Sequence, residues 1–180
     1  MFNRQKADQK GFSGVEALLT LSVSALLAAQ ALPAMQQLKQ KKAIELRAQA
    51  LMTDLKQARS ESVMASEQHH IRFRQVDGGT CYVLHSGRPN DCSCDASGQA
   101  VCSGDGHVLR HEWLPSSSKV KIRANIGTLS FNARQGSVTS TGSIDITAPS
   151  GLGVRHIVSI AGRVRSCALA GDFNNLPACA

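Results

Sequence analysis

Lys10-Gly11-Phe12-Ser13-Gly14-Val15-Glu16-Ala17-Leu18-Leu19 joins two unlike segments. Before it lies a short basic leader, MFNRQKADQKG, in which Arg4, Lys6 and Lys10 outweigh Asp8. After it an apolar run extends from Phe12 to Leu32, and residues 17–38 carry no charged side chain. At about 1.5 Å of rise per residue that interval is long enough to cross a hydrocarbon core of roughly 30 Å as a helix. A secretory signal would have a shorter apolar region and a small-x-small cleavage site, for which only Ala25–Ala31 offers material. Such a signal leaves Glu16 unexplained. A carboxylate at the head of a membrane helix is costly unless it snorkels to the interface or meets a partner.

The segment resembles the processing site of type IV prepilins: basic leader, Gly, Phe, then Glu five residues into the mature chain. The resemblance implies cleavage by prepilin peptidase between Gly11 and Phe12 and methylation of the new Phe12 amine. It also implies that Glu16 meets such an amine, its own or a neighbour's, during filament assembly. Pro33 falls where pilin helices often carry a kinking proline. Ser13-Gly14 stands in place of the more usual Thr-Leu, which is expected to make the local helix poorer.

Working outward, the helical pattern changes after Pro33. Ile44, Ala48, Leu51, Leu55 and Ala58 recur at spacings of four and three, an apolar stripe on an amphipathic helix. One helix is therefore expected from about Phe12 to about Ser66, apolar all round over 12–38 and amphipathic over 39–67. Lys39, Lys41, Lys42, Arg47, Lys56 and Arg59 read mostly as its solvated face. Beyond residue 68 the period shortens to two. Ile71–Arg74, Tyr82–Leu84, Val108–Leu114, Val120–Ala124, Thr128–Phe131, Ser143–Thr147 and Val154–Ile160 read as short strands separated by Gly, Pro, Ser and Asn. The expected class is α+β, an antiparallel β-sheet domain over 68–160 covering the helix, with a basic tail over 161–180.

Six cysteines, Cys81, Cys92, Cys94, Cys102, Cys167 and Cys179, all lie after the helix. An even number confined to one region fits disulfides in an oxidising compartment, and spacing alone cannot choose among the pairings. Residues 87–106, rich in Gly, Asp and Ser, read as a disulfide-tied loop. Zinc is the weaker reading, because Cys92-Ser-Cys94 lacks the C-x2–4-C spacing. No metal and no cofactor is implied.

Hydrophobic residues make up 42% of the chain, enough for a core, while aromatic residues at 4% do not supply a stacking surface. The net charge of +7 suits an anionic partner without identifying one. His69 and His70 are adjacent, so on a strand they point to opposite faces and cannot share a ligand. Ser116-Ser117-Ser118 reads as a loop, and no P-loop, H-E-x-x-H or GxSxG is present. No enzymatic activity is predicted.

Nearly the whole chain resembles the GspH/FimT-type branch of the pilin superfamily. Residues 55–62, LKQARSES, look like that branch's helix end. Residues 129–136, LSFNARQG, look like its strand and turn, and residues 157–165, IVSIAGRVR, like its closing strand and GRxR tail. The resemblance implies a minor subunit of a type IV pilus or of a type II secretion pseudopilus. Its expected partners are other pilin subunits, prepilin peptidase and, before assembly, inner-membrane lipid. Its expected topology is a single pass with the C-terminal domain in the periplasm.

Residues 105–180 carry eight basic side chains against four acidic ones. Arg163 and Arg165 are two apart and face the same way on an extended segment, with Gly162 allowing a turn before them. Paired guanidinium groups engage successive phosphates in planar, bidentate geometry, and a Cys167–Cys179 link would hold the pair exposed. The GRxR element is implicated in binding DNA in the FimT-type proteins that this tail resembles. Arg163 and Arg165 are therefore candidates for double-stranded DNA, with Arg155, Lys119, Lys121 and Arg123 as support. The competing reading makes the chain a pseudopilin acting in pseudopilus tip assembly, its arginines forming strand-edge or subunit contacts without DNA.

Overall fold

The computed structural model describes residues 13–173 and 176–179. Two compact units divide between Lys39 and Gln40. Helix α1 spans Gly14–Met64 and contains Pro33. Proline has no N–H to offer the Ala29 carbonyl, so one ladder bond is missing there. The described part of the first unit is the leading stretch of this helix, whose Leu18, Leu21, Leu26 and Leu27 are exposed. It is long and apolar enough to cross a membrane.

The second unit is built on the trailing half of α1. Ile44, Ala48, Leu51, Leu55 and Ala58, the residues of the predicted stripe, are all buried. Burying each of the larger ones is worth about 1.5–3 kcal/mol. Opposite them lie two four-stranded antiparallel sheets. The first has the order β5(Val108–Pro115)-β2(Gly79–His85)-β1(His69–Val76)-β7(Thr128–Phe131). The second has the order β10(Val164–Ala170)-β9(Gly153–Val158)-β8(Gly142–Thr147)-β6(Lys121–Ala124). Ile71, Tyr82, Leu84 and Phe131 of the first sheet join Ile144, Ile146, Val154 and Val158 of the second in one core with the helix stripe.

Residues 87–106, expected as a loop, contain a two-stranded ribbon, β3(Cys92–Cys94) and β4(Ala100–Cys102). It covers the far face of the first sheet, where Cys81 and Val83 pack against Cys92 and Cys94 beside Trp113. Disulfides Cys81–Cys94 and Cys92–Cys102 fix it there. Gly98, at φ +82°, closes the ribbon turn flat on Trp113, where any Cβ would meet the indole at 2.4 Å.

Within the basic tail expected over 161–180, the described residues include a strand. Val164–Ala170 form β10, the edge of the second sheet, because Val164, Ser166 and Ala168 alternate inward opposite Val158, His156 and Val154. The Cys167–Cys179 disulfide returns the following segment to that edge. There Ala168 N donates to Pro177 O at 2.8 Å and Cys179 N to Ala168 O at 2.9 Å.

Polar ties align the helix on the sheets. The buried Asp54 accepts from Tyr82 Oη at 2.6 Å, and its other oxygen lies 3.1 Å from Arg110 Nε. Burial, reinforced by that carboxylate, pushes the Tyr82 phenol far up from its ordinary value. His156 Nε2 donates to the helix carbonyl of Ala48 at 2.8 Å, while its Nδ1 pairs with Ser166 Oγ at 2.7 Å. Arg47 is ion-paired with Glu112 rather than merely solvated.

Candidate functional site

At the head of α1, Ser13 and Glu16 satisfy each other. Glu16 N donates to Ser13 Oγ at 3.4 Å, and Ser13 N donates to Glu16 Oε2 at 3.1 Å. This reciprocal capping box satisfies two amide donors at the helix start that lack intrahelical partners. The S-x-x-E spacing carries its signature, so Ser13 caps the helix start, while Gly14 next to it remains a poor helix former. Gly11 and Phe12, the predicted cleavage and methylation positions, lie outside the described residues.

The second sheet brings most of the predicted cations onto one face. Its register places Arg123, Asp145, Arg155 and Cys167 in one row across β6, β8, β9 and β10. The next row holds Ser143, Ile157 and Arg165, and Lys121 stands opposite Thr147. Directly paired residues point to the same side of an antiparallel sheet. The inward neighbours Ile122, Ile144, Ile146, Val154 and His156 are buried, so this outer face turns to solvent. Lys121, Arg123 and Arg165 are exposed on it.

Arg155 is committed to a neighbour. Its Nε and Nη2 donate to the two Asp145 oxygens at 2.6 and 2.8 Å, a bidentate pair that raises the guanidinium pKa further. Lys119 stands off the strands. It holds a left-handed conformation at φ 56°, closing the 3-10 turn Ser116–Ser118. Arg163 stands just outside β10, on the turn in which Gly162 N donates to Ser159 O at 2.8 Å. Arg163 and Arg165 are exposed, and neither enters an ion pair among the described residues.

Two basic residues expected on a solvated helix face stand beside Arg163. Lys56 and Arg59 line the same groove as Gly162 and Arg163. Their spacing of three on one helix was the available signal, but only the fold reveals what they face. His69 and His70 part as their adjacency required. His69 Nδ1 lies 3.2 Å from Ser62 Oγ, on the helix side. His70 Nδ1 lies 2.8 Å from Ser130 Oγ on the ribbon side, its ring centroid 5.3 Å from that of His85. Burial lowers the pKa of His70, His85 and His156, so all three act as neutral structural groups. All six cysteines are in disulfides, and no cluster of metal-ligating side chains occurs among the described residues.

A long N-terminal helix with an apolar leading half and a disulfide-bonded antiparallel domain on its trailing half define a type IV pilin-like subunit. The family of the type II transport protein GspH matches residues 47–162, more than half of the chain, and the chain belongs to that family. It is a minor pilin or pseudopilin, a class built to associate with other pilin subunits. Among solved structures, the type IV minor pilin FimU of Pseudomonas aeruginosa (strain PAO1) in space group P21 is similar with a TM-score of 0.51. It is 17% identical over 74% of this chain and 91% of FimU. Its P65 crystal form gives a TM-score of 0.50, at 17% identity over 68% and 90% of the two chains. The minor pseudopilin EpsH of the Vibrio cholerae type 2 secretion system aligns with a TM-score of 0.49, at 13% identity over 71% and 98%. No curated protein sequence matches the chain. The family match ends at Gly162, so Arg163, Arg165 and the Cys167–Cys179 loop lie beyond it.

Proposed function

We propose that this minor pilin works in a type IV pilus and binds duplex DNA for uptake, with Arg163 and Arg165 as the principal contacts. Prepilin peptidase cuts between Gly11 and Phe12, and the Phe12 amine is methylated. The apolar helix is held in the inner membrane with its domain in the periplasm, then moves from lipid into a bundle of like helices. Glu16 meets an amine there and sets the stagger, and Pro33 bends the helix. The subunit is structural, not enzymatic.

The observation that supports the DNA reading is that Arg163 and Arg165 are both exposed and enter no ion pair among the described residues, with Arg165 on a sheet face that also presents Lys121 and Arg123. Binding of this kind rests on phosphate neutralisation, so it is sequence-independent and weakens steeply with salt. The exported full-length chain, purified in detergent, tests both parts. Its N-terminal residue, read by mass spectrometry, should be a methylated Phe12; any other start refutes the cut. Titration with a short duplex at about 50 and 200 mM salt should show Arg163→Ala/Arg165→Ala binding more weakly, with a salt slope smaller by about two. Equal curves for the variant and the parent chain refute the site.

The alternative is a type II secretion pseudopilin that shapes the pseudopilus tip and binds no DNA. The description of its family as a type II transport protein favours it. Under that reading the same arginines contact neighbouring subunits, and the titration is flat.

A further inference from the structure

Deepening the DNA reading on which it rests, we infer that phosphodiester groups are held in the groove between the end of α1 and the β9–β10 turn, where Lys56 and Arg59 join Arg163. The groove has a volume of about 700 Å³. Lys56 and Arg59 stand three residues apart on one flank of the helix, beside the inward stripe of Leu55, Ala58 and Ser62. Arg163 enters from the sheet turn. Gln135 and Ser60 add neutral polar groups, Val63, Met64 and Val164 an apolar wall, and among the described residues no carboxylate lines the groove.

The convergence is built by close backbone packing. Gly162, at φ +71°, brings the Ser159–Arg163 turn so near the Asn132–Gly136 turn that a Cβ would sit 2.0 Å from the Gly136 carbonyl oxygen. The same carbonyl accepts from Arg59 Nε at 3.2 Å. One oxygen thus anchors the Arg59 side chain beside the turn that carries Arg163. The terminal nitrogens of Arg59 make no hydrogen bond among the described residues.

The charge pattern distinguishes this groove from the rest of the basic surface. Arg155 is answered by Asp145, and Arg47 by Glu112. Lys56, Arg59 and Arg163 enter no ion pair among the described residues. Three cations held together without an acid repel one another, and an anion relieves that repulsion. Beyond the turn Arg165 continues the positive track on the sheet face. An open groove continued by a further cation suits a strand with regularly repeated negative charges better than a single small anion.

Lys56 is exposed, so Lys56→Glu should leave folding intact, which an unchanged melting temperature verifies. Arg59→Gln removes the second charge and keeps an amide able to donate to Gly136. Both variants and Arg163→Ala/Arg165→Ala are titrated, as full-length chains in detergent, with a short duplex of arbitrary sequence. Lys56→Glu should weaken binding about tenfold at about 50 mM salt and lower the salt slope by at least one. Arg59→Gln should act in the same direction. If only the Arg163/Arg165 variant weakens, the groove is excluded and the DNA reading survives. If none weakens, both fall. Polyglutamate competing as well as the duplex, charge for charge, would assign the groove to acidic polypeptide and overturn the phosphodiester assignment.

Discussion

The two four-stranded sheets share one core, yet each finishes its second face differently. In the first sheet β2 is buried along nearly its whole length, with the helix under Tyr82 and Leu84 and the disulfide ribbon over Cys81 and Val83. In the second sheet β8 and β9 alternate buried and partly exposed residues, and the outer face carries Lys121, Arg123, Arg155 and Arg165 around a single acid, Asp145. Covering a face forces apolar residues and, in so small a cover, covalent staples. Leaving a face bare permits charge, and that charge then sets which partners the face can meet. The ribbon and the basic face are two solutions to the same problem of a sheet with two sides.

Unstapling the covered sheet should have the largest effect. Closing the 13-residue separation between Cys81 and Cys94, or the 12-residue one between Cys167 and Cys179, is worth about 3 kcal/mol by chain entropy alone. The first disulfide also holds the ribbon over Val83 and Trp113, whereas the second ties a short segment to the β10 edge. Cys81→Ala/Cys94→Ala should therefore cost distinctly more than about 3 kcal/mol in denaturant unfolding, and Cys167→Ala/Cys179→Ala only about 3 kcal/mol. Equal losses would mean that loop entropy accounts for both, with no added value from the cover.

A smaller effect separates the two sheets by pH. His70 and His85 lie on the ribbon side of the first sheet, where His70 meets the Gly87 carbonyl, and His156 joins the second sheet to the helix; burial depresses all three pKa values from 6.5. Above pH 6.5 folded and unfolded imidazoles are both neutral, and the folded state loses nothing. Below it the unfolded chain protonates first, so stability falls by at most about 1.4 kcal/mol per histidine per pH unit. The loss stops once the folded imidazoles protonate too. Melting temperatures between pH 7 and 5 should fall. His70→Asn/His85→Asn should flatten that slope more than His156→Gln does. The opposite ranking would place the acid-sensitive contact at the helix, not on the ribbon side of the first sheet.

What the sequence disclosed follows the same division. The stripe from Ile44 to Ala58 and the alternation in Ser143–Thr147 and Val154–Val158 were readable because one face of each element is wet. The ribbon was not, since Cys92–Cys94 and Ala100–Cys102 are too short for a period and owe their pairing to disulfides. β10 hid behind its charges: Arg163 and Arg165 suggest a tail until Val158, His156 and Val154 supply the partners for its inward residues. Within the candidate site the arginine pair was visible as a motif. Lys56 and Arg59 could not be added, because their meeting with Arg163 depends on Gly162 packing against Gly136, more than a hundred residues from the helix start. Ser13 was legible in retrospect, as the first letter of a capping box with Glu16.

The smallest effect concerns the one acid on the bare face. Asp145→Asn removes a bidentate but partly exposed pair, with side chains 34% and 24% accessible for Arg155 and Asp145. Solvent screening limits its worth to under about 1 kcal/mol. The same change frees Arg155 and leaves Arg123 without its opposite acid. If polyanion follows the groove and Arg165, the gain is small. Asp145 in β8 lies two strands from β10, roughly 10 Å at the strand spacing. That is about one Debye length at 0.1 M salt. Duplex affinity should then rise no more than about threefold at that salt, and more as salt falls. A tenfold rise at about 0.1 M salt would draw the ligand across the sheet face, to the outer rows of the second sheet and away from the helix flank.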